Sequence, residues 1–228
     1  MLGCSQSSGT PHSPYGARRF DPSSRAMIEG ALRIYSLSSP VRQMAMSRQS
    51  LFHTVSRGAK APDVVNVVIE IPMGSRNKYE IDRETGLLKL DRVLHSPFHY
   101  PTDYGFIPQT LCEDGDALDA LVMTHHPVVP YCIVEARPIG VLKMRDEKGM
   151  DEKVLCVPVG DPRFKRVHDI KHIPEHWLIE IAHFFERYKE LEEGKYTEIL
   201  GWGGAGEAKQ VILDAMRRYD ERYGKRSP

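Results

Sequence analysis

Short runs of β-branched residues fill the middle of this chain, and helical periodicity appears only toward its end. The first run extends from Val64 to Ile71 and stops at Pro72. The segments Lys78 to Asp82 and Leu87 to Val93 flank Glu84-Thr85-Gly86, where the glycine accepts the positive φ of a tight turn. Because β-branched residues favour strands, we expect a first core strand followed by a hairpin.

Two amphipathic segments follow the strands. Pro174 and Glu175 open a segment with apolar residues at helical spacing to about Glu192, and Glu207 to Tyr223 repeats the pattern. Many strands before two helices predict an α+β domain with a mainly antiparallel core. The further strands are expected at Ala120 to Met123, Cys132 to Met144, Val154 to Val159 and Thr197 to Trp202.

The first 62 residues differ in composition from the rest of the chain. Residues 1–62 contain seven Arg and Lys60 but only two acidic residues, Asp21 and Glu29, so their formal charge is about +6. Because the formal charge of the whole chain is zero, the remainder carries about −6. We expect residues 1–62 to be a basic, poorly ordered extension with a short helix near Ser23 to Tyr35, and residues 63–228 to fold. An organellar transit peptide and a true start at Met44 or Met46 both fit this composition.

The cysteines and the hydropathy pattern limit the cellular compartments that we expect for this chain. The four cysteines are widely spaced, which predicts reduced thiols in an intracellular compartment: Cys4, Cys112, Cys132 and Cys156. No apolar run approaches about 18 residues, so we expect no membrane span. The cytoplasm is the default compartment, or an organelle if the extension is a transit peptide.

Three aspartates within six residues, Asp114, Asp116 and Asp119, mark the candidate site. Carboxylates this close repel one another unless cations lie among them, and hard divalent cations take oxygen ligands. If this piece is extended, Asp114 and Asp116 point the same way, Gly115 lets the backbone approach a ligand, and Asp119 enters from the following turn. A polar turn with aspartates at capping positions is the structural alternative.

Two other metal sites are not expected. A calcium loop of the EF-hand type requires glycine where Asp119 stands and glutamate where His125 stands. A zinc site is disfavoured because Pro174 interrupts the helix that would align three evenly spaced histidines, His168, His172 and His176. The pair His125 and His126 is expected in a solvated loop after a strand.

A series of motifs between Val64 and Tyr219 follows a recognisable order. The motifs are Val68-Ile69-Glu70-Ile71-Pro72, Lys78-Tyr79-Glu80, Asp91-Arg92, Tyr100 to Pro108, the Asp114 to Asp119 hexapeptide, Val141 to Lys153 and Phe184 to Lys189. With them the chain resembles the soluble inorganic pyrophosphatases of family I, the magnesium-dependent family, in its prokaryotic and plant-type branch. The resemblance implies a five-stranded OB-like β-barrel with two main C-terminal helices, assembled as a homo-oligomer, either trimer or hexamer.

The resemblance also implies an activity and a set of roles. Pyrophosphate would be hydrolysed to two orthophosphates by metal-activated water, with several Mg²⁺ ions per site and Asp116 as general base. The implied metal ligands are Asp114, Asp119, Asp146 and Asp151. The implied substrate-binding residues are Lys78, Arg92, Tyr104, Lys153, Tyr188 and Lys189, and the supporting residues are Glu70, Glu80 and Tyr100.

The implied chemistry suits these residue types. Pyrophosphate is a compact polyanion, so its hydrolysis needs positioning and charge stabilisation rather than a protein nucleophile. A magnesium-dependent nucleotide or phosphate-ester hydrolase would also need a surface for a base or sugar, of which the sequence gives no sign. An OB-like module for nucleic acid would need a basic groove, whereas this body is acidic, so neither nucleic acid nor membrane is an expected partner.

Two positions depart from the family pattern. Tyr131 stands where many relatives have glycine, which affects a turn, and Arg187 stands where some bacterial relatives have histidine, which concerns a subunit contact. His183, on the predicted long helix, is a candidate for the same kind of contact. These departures bear on loop shape and assembly rather than on the chemistry.

Overall fold

Strands dominate the part of the chain that the structure, a computed structural model, describes, which is residues 50–225. The strands are β1 (Val65–Ile71), β2 (Asn77–Ile81), β3 (Leu88–Val93), β4 (Asp103–Ile107), β5 (Leu118–Val122), β6 (Ile133–Asp146), β7 (Gly149–Pro158) and β8 (Thr197–Gly204). The helices are α1 (Leu51–Thr54), α2 (Glu175–Arg187) and α3 (Ala205–Tyr223), and two 3₁₀ turns lie at Pro162–Phe164 and Ile170–His172.

Five of the strands close into an uneven ring in the order β1, β4, β5, β7, β6. Strand β1 pairs with β4 on one side and with β6 on the other, which completes the closure, and β8 extends the sheet beyond β6. The pairings are antiparallel except for β5 with β7, which run parallel. The closed ring and the C-terminal helices confirm the predicted α+β class and the OB-like barrel.

The hairpin is confirmed, since β2 and β3 pair antiparallel as a separate two-stranded sheet. Several elements differ from the prediction. Strand β4 was not predicted, and β7 begins at Gly149 rather than at Val154. Helix α2 ends at Arg187 rather than near Glu192, because Tyr188 caps it and residues 190 and 192 continue with i to i+3 turns.

A close approach of β1 and β4 depends on Gly105. A Cβ atom at this position would lie 1.9 Å from the Val68 carbonyl oxygen, a distance at which backbone would have to move. The absence of a side chain therefore lets β4 pair at this register with Ile69 opposite Gly105. All five residues of β4 are buried, so the strand forms part of the core.

The two long helices pack on different parts of the core. Helix α2 contributes Ile181, Phe184 and Phe185 to a buried cluster with residues of β4, β6 and β7. Helix α3 contributes a second apolar face, made of Ala208, Ile212 and Ala215, to another buried cluster, and the helix lies mainly against β6. Both helices therefore use the apolar faces that the sequence pattern predicts.

Residues 50–62, which the sequence analysis assigned to the extension, contact the body of the fold. Phe52 in α1 is 4 % exposed and meets the ring of Tyr219 edge-on, with ring centroids 5.4 Å apart. Arg57 donates two hydrogen bonds of 3.0 Å to the carboxylate of Asp220. The predicted helix near Ser23 to Tyr35 and the remainder of the extension lie outside the described residues.

Three of the four cysteines are described, Cys112, Cys132 and Cys156, and all three are free thiols. In residues 50–225 no helix combines the length and the apolar character needed to cross a membrane.

Candidate active site

A cavity of about 630 Å³ opens where the ring, the hairpin and the end of α2 meet. Of the fourteen predicted site residues, thirteen line this cavity: Glu70, Lys78, Glu80, Arg92, Tyr104, Asp114, Asp116, Asp119, Asp146, Asp151, Lys153, Tyr188 and Lys189. Tyr100 does not line it. The fold thus brings together side chains from distant parts of the sequence.

Lys153 lies at the centre of the acidic residues. Its Nζ is 2.6 Å from Asp119 Oδ2 and 2.8 Å from Asp151 Oδ1. The strand register explains the contact, since Asp119 of β5 pairs with Lys153 of β7, and Asp151 precedes Lys153 by two residues on the same strand. Burial opposes the charge of this lysine, but Asp119 and Asp151 raise its pKa well above the ordinary value, so Lys153 stays cationic.

Aromatic rings form the wall behind Lys153. Its Nζ lies 5.6 Å from the ring centroid of Tyr104 and 5.4 Å from that of Phe185. Tyr104 Oη donates a short hydrogen bond to Asp119 Oδ2, and burial together with the charge of Asp119 raises the pKa of Tyr104 well above the usual value. Tyr100 is buried behind this wall, with its ring edge-on to Tyr104 at 5.6 Å.

Asp114 and Asp116 occupy a turn rather than an extended piece. Gly115 has φ +88°, and Asp116 N donates to Asp114 Oδ1 at 3.0 Å. Asp119 does not enter from a following turn, as the sequence analysis expected, but lies within β5. The cause of the difference is Leu118, whose side chain is fully buried and starts the strand one residue before Asp119.

The hairpin supplies the cationic residues on one wall. Lys78 Nζ contacts Glu80 Oε1 closely and lies 3.2 Å from Asp91 Oδ2. Arg92 is opposite Lys78 in the register of β2 and β3, and its Nε lies 3.2 Å from Glu192 Oε1. The paired strands thus present Lys78 and Arg92 side by side.

The end of α2 supplies the opposite wall. Lys189 Nζ donates to Asp146 Oδ2 at 2.9 Å, and both side chains are less than a tenth exposed. Burial opposes ionisation of Asp146, but the hydrogen bond from Lys189 outweighs it and lowers the pKa of the carboxyl. Because the helix ends at Arg187, Tyr188 and Lys189 turn toward the cavity, with Tyr188 stacked on Phe184.

Glu70 lies on β1 and lines the same cavity. Its Oε1 accepts a hydrogen bond of 2.7 Å from Ile81 N. Burial raises the pKa of this carboxyl to about 8, and the negative charges of Asp119 and Glu80 contribute in the same direction. The raised pKa favours the protonated form of Glu70 in the absence of a bound metal ion.

Several lining residues were not among the predicted site residues. Arg83 contacts Asp116 at 2.7 Å, Asp91 contacts Lys78, and Lys195 contacts Glu147 Oε1 at 2.5 Å. Glu147 follows Asp146 directly, so its place beside a predicted ligand was the available sequence signal. The contact of Arg83 with Asp116 joins a hairpin loop to a distant turn and has no local signature.

The histidines within residues 50–225 lie outside the cavity. His125 stacks on Phe164, with ring centroids 5.6 Å apart, and is exposed as expected for a loop residue. His172 Nδ1 accepts backbone hydrogen bonds from His168 N and Asp169 N, so this ring caps its own turn. His183 is exposed on α2 and meets Phe98 edge-on.

The two departures from the family pattern fall on the surface. Tyr131 has φ +69°, a conformation that favours glycine, and its hydroxyl donates to the Gly86 carbonyl at 3.0 Å. Arg187 is exposed and pairs with Glu190 at 3.2 Å. Neither residue lines the cavity.

The donor chemistry of the cavity fits hard divalent cations. The carboxylates of Asp114, Asp119, Asp146 and Asp151 offer oxygen atoms alone, which are the ligands that Mg²⁺ prefers. Across residues 50–225 no three His, Cys, Asp or Glu side chains are already grouped tightly enough to hold a metal ion. The ammonium groups of Lys153 and Lys189 instead pair with the carboxylates of Asp119, Asp151 and Asp146.

Comparison with known proteins agrees with this geometry. A family model described as inorganic pyrophosphatase matches residues 67–220, which is more than half of the chain. The chain belongs to the inorganic pyrophosphatase family. Members of this family are metal-dependent, and membership makes the chain an enzyme, an inorganic diphosphatase.

Curated relatives and a solved structure support the same assignment. The chain is 53 % identical over 166 residues to an inorganic pyrophosphatase of Sulfolobus acidocaldarius, a match that covers 72 % of this chain and 96 % of the relative. An inorganic pyrophosphatase of Xylella fastidiosa is 47 % identical over 170 residues, covering 73 % and 96 %. The crystal structure of the Thermus thermophilus inorganic pyrophosphatase superposes with a TM-score of 0.72 at 46 % identity, covering 76 % and 99 %.

Proposed function

We propose that the chain hydrolyses inorganic pyrophosphate to two orthophosphates by attack of water, with Asp116 as the general base and Mg²⁺ as the cofactor. The observation that carries the proposal is the convergence of four cationic side chains and five aspartates on one cavity: Lys78, Arg92, Lys153, Lys189, Asp114, Asp116, Asp119, Asp146 and Asp151. The cavity is large enough for a compact polyanion with several cations.

The cationic side chains would bind and orient the substrate. Lys78 and Arg92 approach from the hairpin, and Lys153 and Lys189 approach from the opposite walls. Charged donors make strong hydrogen bonds to phosphate oxygens and stabilise the charge that spreads over them during transfer. The hydroxyls of Tyr104 and Tyr188, whose pKa values burial raises, remain protonated donors.

Asp114, Asp119, Asp146 and Asp151 would hold Mg²⁺, with Glu70, Glu80 and Tyr100 in supporting positions. Bound magnesium ions supply charge neutralisation and lower the pKa of the attacking water. Asp116 would accept the proton of that water. Partial shielding of this half-exposed carboxylate from solvent, and the negative charge of Asp114, raise the pKa of Asp116 above the ordinary aspartate value, which makes it a better proton acceptor.

The first test is phosphate release from pyrophosphate with and without magnesium. Asp116→Asn keeps the size of the side chain and removes the base, so we expect kcat to fall by roughly 100-fold or more. Asp63→Asn is the matched control, because Asp63 is exposed, pairs with Lys209 and does not line the cavity. The control should keep native activity.

The proposal fails if the folded, magnesium-loaded native chain releases no phosphate from pyrophosphate. Equal turnover of nucleoside triphosphates would point instead to a nucleotide hydrolase. Full activity in Asp116→Asn would support pyrophosphate hydrolysis but would show that Asp116 is not the general base. We expect pyrophosphate to be preferred, because Lys, Arg, Tyr and carboxylate side chains form most of the cavity wall.

We also propose a homo-oligomer, either a trimer or a hexamer, in the cytoplasm, or in an organelle if the extension is a transit peptide. Support for assembly comes from α2, where exposed Ile179 lies on the same helix as exposed His183 and Arg187. Ile179, His183 and Arg187 are spaced by four residues, so they share one face of the helix, and this is the face that we propose for a subunit contact. Sedimentation velocity would distinguish the two states and a monomer.

A further inference from the structure

Arg83 joins the hairpin loop to the turn that carries Asp116. Its Nη2 lies 2.7 Å from Asp116 Oδ1, and its Nη1 and Nη2 lie 3.3 and 3.4 Å from the Gly115 carbonyl oxygen. One guanidinium therefore contacts both the carboxylate and the backbone next to it. A planar group with several donors fixes the orientation of its partner better than a single contact does.

Phe52 lies beneath the same guanidinium. The Arg83 Cζ is 5.0 Å from the centroid of the Phe52 ring, within the range of a cation–π contact. Phe52 is itself buried and packs edge-on against Tyr219 and Tyr223 of α3. The aromatic face that supports Arg83 is therefore anchored in the core.

The loop that carries Arg83 is also fixed. Asp82 Oδ1 accepts hydrogen bonds from Thr85 N at 2.7 Å and from Thr85 Oγ1 at 2.6 Å. The Gly86 N donates to the Asp82 carbonyl, which closes the loop. The backbone of Arg83 thus starts from a defined position on one side of the cavity.

Asp116 needs such support because it lies in an exposed turn. Its carboxylate is more than half exposed, and the turn takes a positive φ at Gly115 rather than belonging to a strand. A base in an unsupported turn would spend time away from the attacking water, and small displacements of a catalytic group lower the rate strongly.

We propose that Arg83, stacked on Phe52, is a positioning residue that holds the Asp116 carboxylate in its place in the cavity. The inference rests on the proposed role of Asp116 as the base. It assigns a function in catalysis to the hairpin loop and, through Phe52, to helix α1 near the start of the described chain.

The kinetic test combines Arg83→Ala with Asp116→Asn. We expect Arg83→Ala to lower kcat roughly 3- to 10-fold and to change KM less than about twofold, because Arg83 acts on the base rather than on the substrate. In the Asp116→Asn background the same substitution should have little further effect, since residues that act through one another are not additive. Arg83→Lys should restore part of kcat, because a lysine reaches the carboxylate but cannot also bind the Gly115 carbonyl as a fork.

Arg163→Ala is the matched control. Arg163 is also an exposed arginine that pairs with an aspartate, Asp161, at 2.8 Å, and neither residue lines the cavity. Native kcat is expected for this variant. An equal loss of kcat from Arg83→Ala with and without Asp116, or a rise in KM alone, would show that Arg83 acts on the substrate and would overturn the proposal.

A second measurement does not depend on activity. Hydrogen exchange of the peptide that spans residues 111–119 should be faster in magnesium-free Arg83→Ala than in the native chain, and Phe52→Leu should show a smaller change in the same peptide. Unchanged exchange in Arg83→Ala would overturn the positioning role even if the protein proved to hydrolyse another substrate. If the native chain were inactive on pyrophosphate but exchange were faster in Arg83→Ala, the contact between Arg83 and the Asp116 turn would be supported and the assigned reaction would be rejected.

Discussion

Glu70 shows how one buried carboxyl links the cavity to stability. Burial raises its pKa to about 8 from an ordinary value of 4.5, and Asp119 and Glu80 add to the shift. A carboxyl with a raised pKa binds its proton more tightly in the folded state. Its contribution to stability is therefore complete below about pH 4.5 and is lost as the pH rises toward about 8.

We predict that Glu70→Gln flattens this pH dependence. Without metal, the melting temperature of the native chain should fall from about pH 5 to about pH 8 relative to that of the variant, because glutamine cannot ionise. Differential scanning calorimetry in the presence of a chelator measures the difference. Glu84→Gln, at an exposed position in the hairpin loop, is the control, and parallel curves for native chain and Glu70→Gln would contradict the prediction.

Sequence reasoning found individual site residues where the signal was local. Three aspartates within six residues, and lysines in short motifs, stand out without knowledge of the fold. The partners of these residues could not be found in this way. Arg83 reaches Asp116 across 33 positions of the chain, so their pairing depends on the packing of a hairpin loop against a turn.

Helix α3 depends on a cap supplied by another part of the chain. Its own N-cap residue is Gly204, which has no side chain to bind the free N–H groups. Asp169 Oδ2 accepts from Ala205 N at 2.9 Å, and its Oδ1 accepts from Lys171 N. The hydrogen bonds from Ala205 and Lys171 outweigh the opposing effect of burial and lower the pKa of this carboxyl.

We predict that Asp169→Ala lowers the free energy of unfolding by about 1 kcal/mol, the usual cost of a lost N-cap. Asp169→Asn keeps an acceptor oxygen and should lose less. Asp161→Ala removes the cap of a three-residue 3₁₀ turn and is the comparison for a cap of smaller consequence. Urea unfolding at neutral pH measures all three, and an equal loss in Asp161→Ala and Asp169→Ala would refute a special role for Asp169.

Elements were predictable where their pattern was strong. The hairpin, β1 and the two long helices have clear turn or periodicity signals, and the structure contains them. The first half of β7 was missed because Asp151, Glu152 and Lys153 are poor strand formers that the cavity and the register with β5 hold in place. Strand β4 was missed because it is short, contains Gly105 and is buried throughout, so its residues do not alternate.

At the scale of the whole molecule, the contacts of residues 50–62 set the limits of truncation. Phe52 is buried against Tyr219, and Arg57 makes a paired hydrogen bond with Asp220. The boundary at residue 62 therefore cuts through packed structure. The closure of the ring by β1 and β6 was also beyond sequence reasoning, since it came only from the family resemblance and not from any local pattern.

We predict that a chain beginning at Met46 keeps the stability and the activity of the full chain. A chain beginning at Asp63 should lose roughly 3 kcal/mol or more of unfolding free energy, because it lacks the buried Phe52 ring. Its kcat should also fall, because Arg83 loses its aromatic support. Chemical denaturation and phosphate release compare the three chains, and equal stability of the two truncated chains would contradict the structure of this segment.

The pairing of α1 with α3 also has a consequence for the order of synthesis. His53 Nδ1 lies 2.7 Å from Tyr219 Oη, across 166 positions of the chain. A ribosome releases α1 long before α3, so Phe52 lacks the rings of Tyr219 and Tyr223 until the last helix has emerged. During that interval the apolar ring is open to other partners, including chaperones and neighbouring nascent chains. The emergence of the last helix thus decides when Phe52 becomes protected.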